Sequence, residues 1–108
     1  MTVEELINKT DLSAAALPNP DKEVKDAYIG DLLSWVMGKA KSGDAWITIM
    51  SNKNILAVAA LTDCACVILA ECVTPDEEVC ELALEKGINL LLSKKSAYAL
   101  ARDLSECL

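Results

Sequence analysis

The sequence contains no histidine and no phenylalanine, only four glycines and three prolines, and two tryptophans and two tyrosines as its sole aromatic residues. Each shortage excludes something. Without histidine there is no Ser-His or Cys-His nucleophile pair and no imidazole-ligated metal. The glycines stand singly at 30, 38, 43 and 87. Neither a phosphate loop ending in Gly-Lys-Ser/Thr nor a Gly-x-Gly-x-x-Gly dinucleotide turn can be built from them. With so few aromatics, the core must come from Ala, Leu, Ile and Val, a mixture that suits helices packed on a buried sheet. Positive charge is also short. Ten Lys and Arg face seventeen Asp and Glu, for a net charge of −7, and Lys94-Lys95 is the one adjacent basic pair. Binding nucleic acid or anionic lipid requires clustered cations, so neither nucleic acid nor a membrane is an expected partner.

What is present fits one α/β domain. The 108 residues are 53% hydrophobic, enough to bury a core without metal or disulfide staples. The opening Met1-Thr2-Val3-Glu4-Glu5 is acidic where a secretory leader is basic. Together with an odd number of cysteines, this points to a cytoplasmic protein with free thiols. Asn54 to Val73 approaches the length of a membrane span, but Thr62-Asp63 and Glu71 interrupt it. Two short buried elements joined by a turn are expected there instead.

Thr2 and Glu5 form a capping box that opens a short helix with Val3, Leu6 and Ile7 on one face. Leu12 to Leu17 reads as a strand, stopped by Pro18-Asn19-Pro20-Asp21. Lys25 to Ile29 is a second strand, ended by Gly30. Asp31 is placed to cap a helix whose stripe is Leu32, Leu33, Val36, Met37 and Ala40. After Ser42-Gly43-Asp44 comes a β-branched strand, Ala45 to Met50, and Asn54 is placed to cap a helix reaching Leu61. Cys64 to Ala70 has the continuous apolar character of a strand covered on both faces. Thr74-Pro75-Asp76-Glu77 combines an N-cap Thr, a Pro at the first helical position and a closing Glu. Val79, Leu82, Ala83 and Lys86 follow on one helical face, and Gly87 stops it. Ile88 to Leu92 is a last strand. Ser96 then caps a helix carrying Ala97, Leu100, Ala101, Leu104 and Leu108. The order α-β-β-α-β-α-β-α-β-α predicts a mostly parallel sheet of about five strands with helices on both faces, residues 1–108 forming a single domain.

Catalytic chemistry finds little support. Cys64-x-Cys66 would point to one face of a strand, but its neighbours are Ala, Val, Ile and Leu, so core thiols and no metal are expected. Asp76-Glu77-Glu78 suits the first turn of a helix through the helix dipole. Two features go further. Ser51-Asn52-Lys53-Asn54 places amides, a hydroxyl and a cation beyond the end of a strand, where open parallel sheets bind ligands. Trp35 falls on the polar side of its helix, flanked at i−4 and i+4 by Asp31 and Lys39, and exposed Trp is typical of interfaces.

Tyr28-Ile29-Gly30-Asp31-Leu32-Leu33-Ser34-Trp35-Val36-Met37, with Asp44-Ala45-Trp46-Ile47-Thr48-Ile49 and Asn54-Ile55-Leu56-Ala57-Val58-Ala59, resembles the DRTGG domain family, including its short stand-alone bacterial members. The resemblance implies an α/β fold related to the N-terminal domain of HPr kinase/phosphorylase. Such domains accompany phosphotransacetylases and sit between CBS domains in regulated pyrophosphatases, as regulatory and dimer-forming modules. The kinase chemistry belongs to a phosphate-loop domain that this sequence lacks. The Asp-Arg-Thr-Gly-Gly signature has no counterpart, Pro18-Asn19-Pro20-Asp21 occupying the comparable region, whereas Gly30 and Asp31 match the family pattern.

The expectation is therefore a non-enzymatic regulatory homodimer that needs no cofactor and senses a small metabolite or nucleotide. The alternative is an adaptor that docks on a larger metabolic enzyme without a small-molecule ligand. The first predicts a pocket at Gly30, Asp31, Ser51, Asn52 and Asn54. The second predicts an exposed apolar patch around Trp35 and Lys39.

Overall fold

The computed structural model describes residues 1–108. Ten elements alternate along the chain: α1 (Val3–Lys9), β1 (Ser13–Ala16), β2 (Asp26–Ile29), α2 (Leu33–Lys39), β3 (Asp44–Thr48), α3 (Asn54–Thr62), β4 (Cys66–Leu69), α4 (Glu77–Lys86), β5 (Leu90–Leu92) and α5 (Ala97–Cys107). The strands form one sheet in the order β1-β5-β4-β3-β2. β2 to β5 are mutually parallel, and β1 runs antiparallel along β5. The sheet is thus mixed, a refinement of the mostly parallel expectation. The reason lies in Leu17 to Lys25. This helix-free connection joins the two outer strands along the amino ends of the parallel ones, tied there by Asn19 to Asn89 and by Lys22 to Asp63. A parallel return needs a longer crossover, so β1 must end where β2 begins.

The three crossovers β2-α2-β3, β3-α3-β4 and β4-α4-β5 all step in one direction across the sheet. Right-handedness therefore puts α2, α3 and α4 on one face. The buried side chains follow suit. Trp46, Val67, Leu69 and Leu90 pack with Val36, Ile55, Leu56, Val79 and Ala83 on that face. Ala45, Ile47, Cys66, Ile68 and Leu91 point the other way, against Val3 and Leu6 of α1 and Leu100 and Leu104 of α5. Strand alternation separates the two layers. No helix is long and apolar enough to cross a membrane. Asn54 to Val73 resolves into α3, a turn, β4 and the connection beyond it.

Several local signals hold as read. The Thr2–Glu5 capping box closes α1 in both directions. Ser96 accepts from the Ala99 N–H at the start of α5. Gly87 ends α4 at φ +72°, where any other residue would be strained. Asp63 ends α3 in the same left-handed conformation. Its carboxylate accepts from Lys22 and Ser42, and these hydrogen bonds hold it below the usual carboxylate range.

Other signals shift. Asp76, not Thr74, is the N-cap of α4, and it makes no side-chain cap bond. Pro75 sits outside the helix, because two cap candidates flank it and the chain starts the helix at the second. Lys53, not Asn54, precedes α3; Asn54 is its first residue. The α2 stripe is only partly buried. Val36 is fully covered, but Leu32 and Met37 are exposed, since α2 lies over the outer edge of the sheet and packs mainly against α3.

Candidate functional site

The parallel strands all end on one rim, and the residues singled out by sequence lie along the β2–β3 half of it. Gly30 follows β2. Its N–H donates to the Ile47 carbonyl, and its own carbonyl accepts from the Trp46 indole at 2.8 Å. A Cβ at Gly30 would stand 3.0 Å from the Tyr28 ring, so glycine lets the turn close over the sheet edge. Asp31 does not cap α2; the residue at the cap is Leu32, with no side-chain bond. The Asp31 carboxylate instead accepts from the Thr48 hydroxyl at 2.8 Å and the Ile49 N–H at 2.9 Å. This clamps the β2–α2 turn to the end of β3. The donors across the rim compete better for the carboxylate than its own helix does, since they are held in place by the buried strand.

Beyond β3, the Asn52 carboxamide accepts from the Asn54 N–H at 2.9 Å, a local turn that feeds α3. Ser51 is half-buried and Asn54 exposed. The structure thus brings Gly30 and Asp31 to Thr48 and Ile49, with Ser51, Asn52 and Asn54 following along the same rim. No cavity of the molecule is lined by any of these five.

Trp35 stands on the outer side of α2 with 61% of its surface exposed, and the Lys39 ammonium lies 5.7 Å from its ring centroid. Leu32, one turn earlier on the same side, is 62% exposed. Ile29 ends β2, the edge strand whose outer side is free, and Ile49 is tied to Asp31; both are about half exposed. Leu32 and Trp35 are thus exposed together on the α2 side of the sheet corner, whereas Ile29, the cross-strand partner of Ile47, faces the α5 side beside Ala101 and Leu104.

The thiols behave differently from one another. Cys64 and Cys66 do not share a face: Cys64 precedes β4 and joins the α2–α4 layer, whereas Cys66 joins the α1–α5 layer. No group of three or more His, Cys, Asp or Glu residues is arranged to hold a metal. Burial pushes both thiols up from their ordinary range, Cys66 far more than Cys64. Cys72 alone is exposed. Because the thiolate is the reactive form, iodoacetamide should modify Cys72 in the native protein and reach Cys66 only after unfolding. Mass spectrometry of native and denatured samples distinguishes the two.

Glu71 and Cys72 form the feature that sequence reasoning missed. Both adopt positive φ, 61° each, although neither is glycine. Their N–H groups donate to the carbonyls of Lys95 and Ser93, which pins the β4–α4 connection to the β5–α5 connection. Nothing in the residue types marks this turn. The left-handed conformation costs a non-glycine residue roughly 1–2 kcal/mol, and glycine loses part of that gain in the unfolded chain. Glu71→Gly should therefore stabilise the protein by about 0.5–1 kcal/mol, read as a higher urea midpoint at constant slope.

Against known families, residues 12–107 match the model of the DRTGG domain. The chain belongs to the DRTGG domain family. No curated protein matches it. Among solved structures, this DRTGG domain is similar to the crystal structure of the CBS and DRTGG domains of the regulatory region of a Clostridium perfringens pyrophosphatase, complexed with its activator diadenosine tetraphosphate. The TM-score is 0.76 at 16% identity, over 99% of this chain and 47% of that one. The likeness at this identity is one of fold. The DRTGG domain described here spans about half of that chain's length.

Proposed function

We propose that this DRTGG domain is a non-catalytic regulatory module that works by self-association through the α2–β2 corner. The observation that carries the reading is the exposure of Leu32 and Trp35 together on the outer side of α2, beside the free outer edge of β2. Solvent-exposed Trp and Leu on one helical side, with the Lys39 ammonium over the Trp35 ring, have the composition of an interface: apolar centre, charged margin. A two-fold contact would set the same corner of two copies together, and two-fold dimers are the commonest soluble assemblies. Family membership supports the regulatory part of the reading, because the pyrophosphatase region with the similar fold is itself regulatory.

That region is complexed with a nucleotide activator, which favours a small metabolite or nucleotide as the signal this module senses. The exposed corner equally suits an adaptor docked on a metabolic enzyme, with no small-molecule ligand. Sedimentation equilibrium of the purified chain over a wide concentration range tests the self-association. A dimer that dissociates on dilution is the expected result; a monomer at every concentration contradicts it.

A further inference from the structure

A cleft of about 370 Å³ opens at the opposite half of the rim, where β4 and β5 end beside the start of β1. Buried Leu12 and half-buried Val73 and Leu92 make its apolar floor, and Ser13, Thr74 and Lys94 stand exposed at its mouth. The polar groups here are unevenly used. The Ser93 and Lys94 carbonyls already accept, from the Cys72 N–H and, at 3.7 Å, from the Cys72 thiol. The donors are left over. Ser93 is 4% exposed, and its hydroxyl oxygen accepts from the Lys95 N–H, so its own O–H has no acceptor within the protein. The backbone N–H groups of Thr74 and Lys94 donate to no protein atom, and the Lys94 ammonium is in no ion pair.

We infer that this cleft binds a small organic anion, a carboxylate or phosphate monoester of low charge with a compact apolar body. Surplus N–H and O–H donors beside an unpaired ammonium suit an oxyanion, and a buried hydroxyl without an acceptor costs free energy until one arrives. The apolar floor supplies the rest of the contact, as in small-molecule sites generally. Asp11 sets the charge limit. Its unpaired carboxylate also lines the cleft, and on a protein of net charge −7 it repels polyanions while accepting from a hydroxyl or amine of the ligand. Cys72, which lines the same wall, and its left-handed neighbour Glu71 hold that wall to the β5–α5 connection. The site lies away from the α2–β2 corner and does not depend on the dimer.

Titrating the full chain with isovalerate, AMP, inorganic phosphate and ATP, followed by amide NMR shifts, tests the inference. Isovalerate or AMP should saturably shift the Thr74 and Lys94 amides, more tightly than inorganic phosphate or ATP, and should slow alkylation of Cys72. Lys94→Ala, an exposed change that leaves the fold intact, should weaken that binding at least about tenfold. Failure of both isovalerate and AMP to shift these amides by about 10 mM overturns the inference. So does binding that Lys94→Ala leaves unchanged, or a preference for inorganic phosphate or ATP.

Discussion

Trp46→Ala should remove about 3–5 kcal/mol of stability, the range for deleting a buried large aromatic, a large share of the whole. Domains of this size are stable by roughly 5–15 kcal/mol in total. Trp46 is the largest fully buried side chain. It stands on β3 near the middle of the α2–α4 layer, in a core otherwise built from aliphatic residues too short to close the gap. Its indole N–H also satisfies the Gly30 carbonyl. Truncation therefore opens a cavity and frees a carbonyl at the turn that carries Asp31. Trp46→Phe separates the two effects: it keeps most of the volume, drops the hydrogen bond, and should cost about 1–2 kcal/mol. Urea unfolding of both variants measures this, and a loss below about 1 kcal/mol for Trp46→Ala would show that the layer collapses around the site.

Asn89→Ala should cost about 3 kcal/mol, through unpaired buried amide groups instead of lost apolar contact. Asn89 is 2% exposed, just before β5. Its carboxamide donates to the Asn19 and Ala65 carbonyls and accepts from the Asn19 N–H. One side chain thus fastens the long β1–β2 connection to the amino end of the sheet. Asn89→Asp is a sharper test, since a carboxylate can still accept from Asn19 but cannot donate to either carbonyl. It should be destabilised at least as much, most of all at neutral pH where the carboxylate is charged. Equal stability of all three proteins would mean that the connection is held by other contacts.

The order of the ten elements was legible because each rests on a local cause. The capping box at Thr2, the stop at Gly87 and the apolar run around β4 report their own segment's backbone or burial, and tertiary packing agrees with them. The errors share a different cause: a polar or apolar group with two possible destinations. Asp31 could cap its own helix or cross to Thr48, and only the placement of β3 decides. Thr74 and Asp76 are both capable of opening α4. Leu32 and Met37 read as core because periodicity cannot tell a central helix from one lying over an outer strand. Cys64 and Cys66 looked coplanar because β4 was read as beginning two residues early, at Cys64. Asn89 and the Glu71-Cys72 turn were not legible at all. An asparagine inside an apolar run announces neither its partners nor its burial, and a positive φ at non-glycine residues leaves no mark in the residue types. Hence the β2–β3 half of the rim was marked from sequence, while the cleft at the β4–β5 half was not.

The regulatory reading rests on self-association at the α2–β2 corner, and Trp35→Ala tests that most directly. Truncating a Trp near the centre of a contact costs about 2 kcal/mol or more, which is over tenfold in dissociation constant. With 61% of its surface exposed in the single chain, Trp35 contributes little to the fold, so the urea midpoint should stay within about 0.5 kcal/mol of the wild type. Sedimentation of wild type and variant across one concentration series should then show a dimer whose dissociation constant rises more than about tenfold on substitution. Equal dissociation constants, or a wild type that never dimerises, would contradict the account.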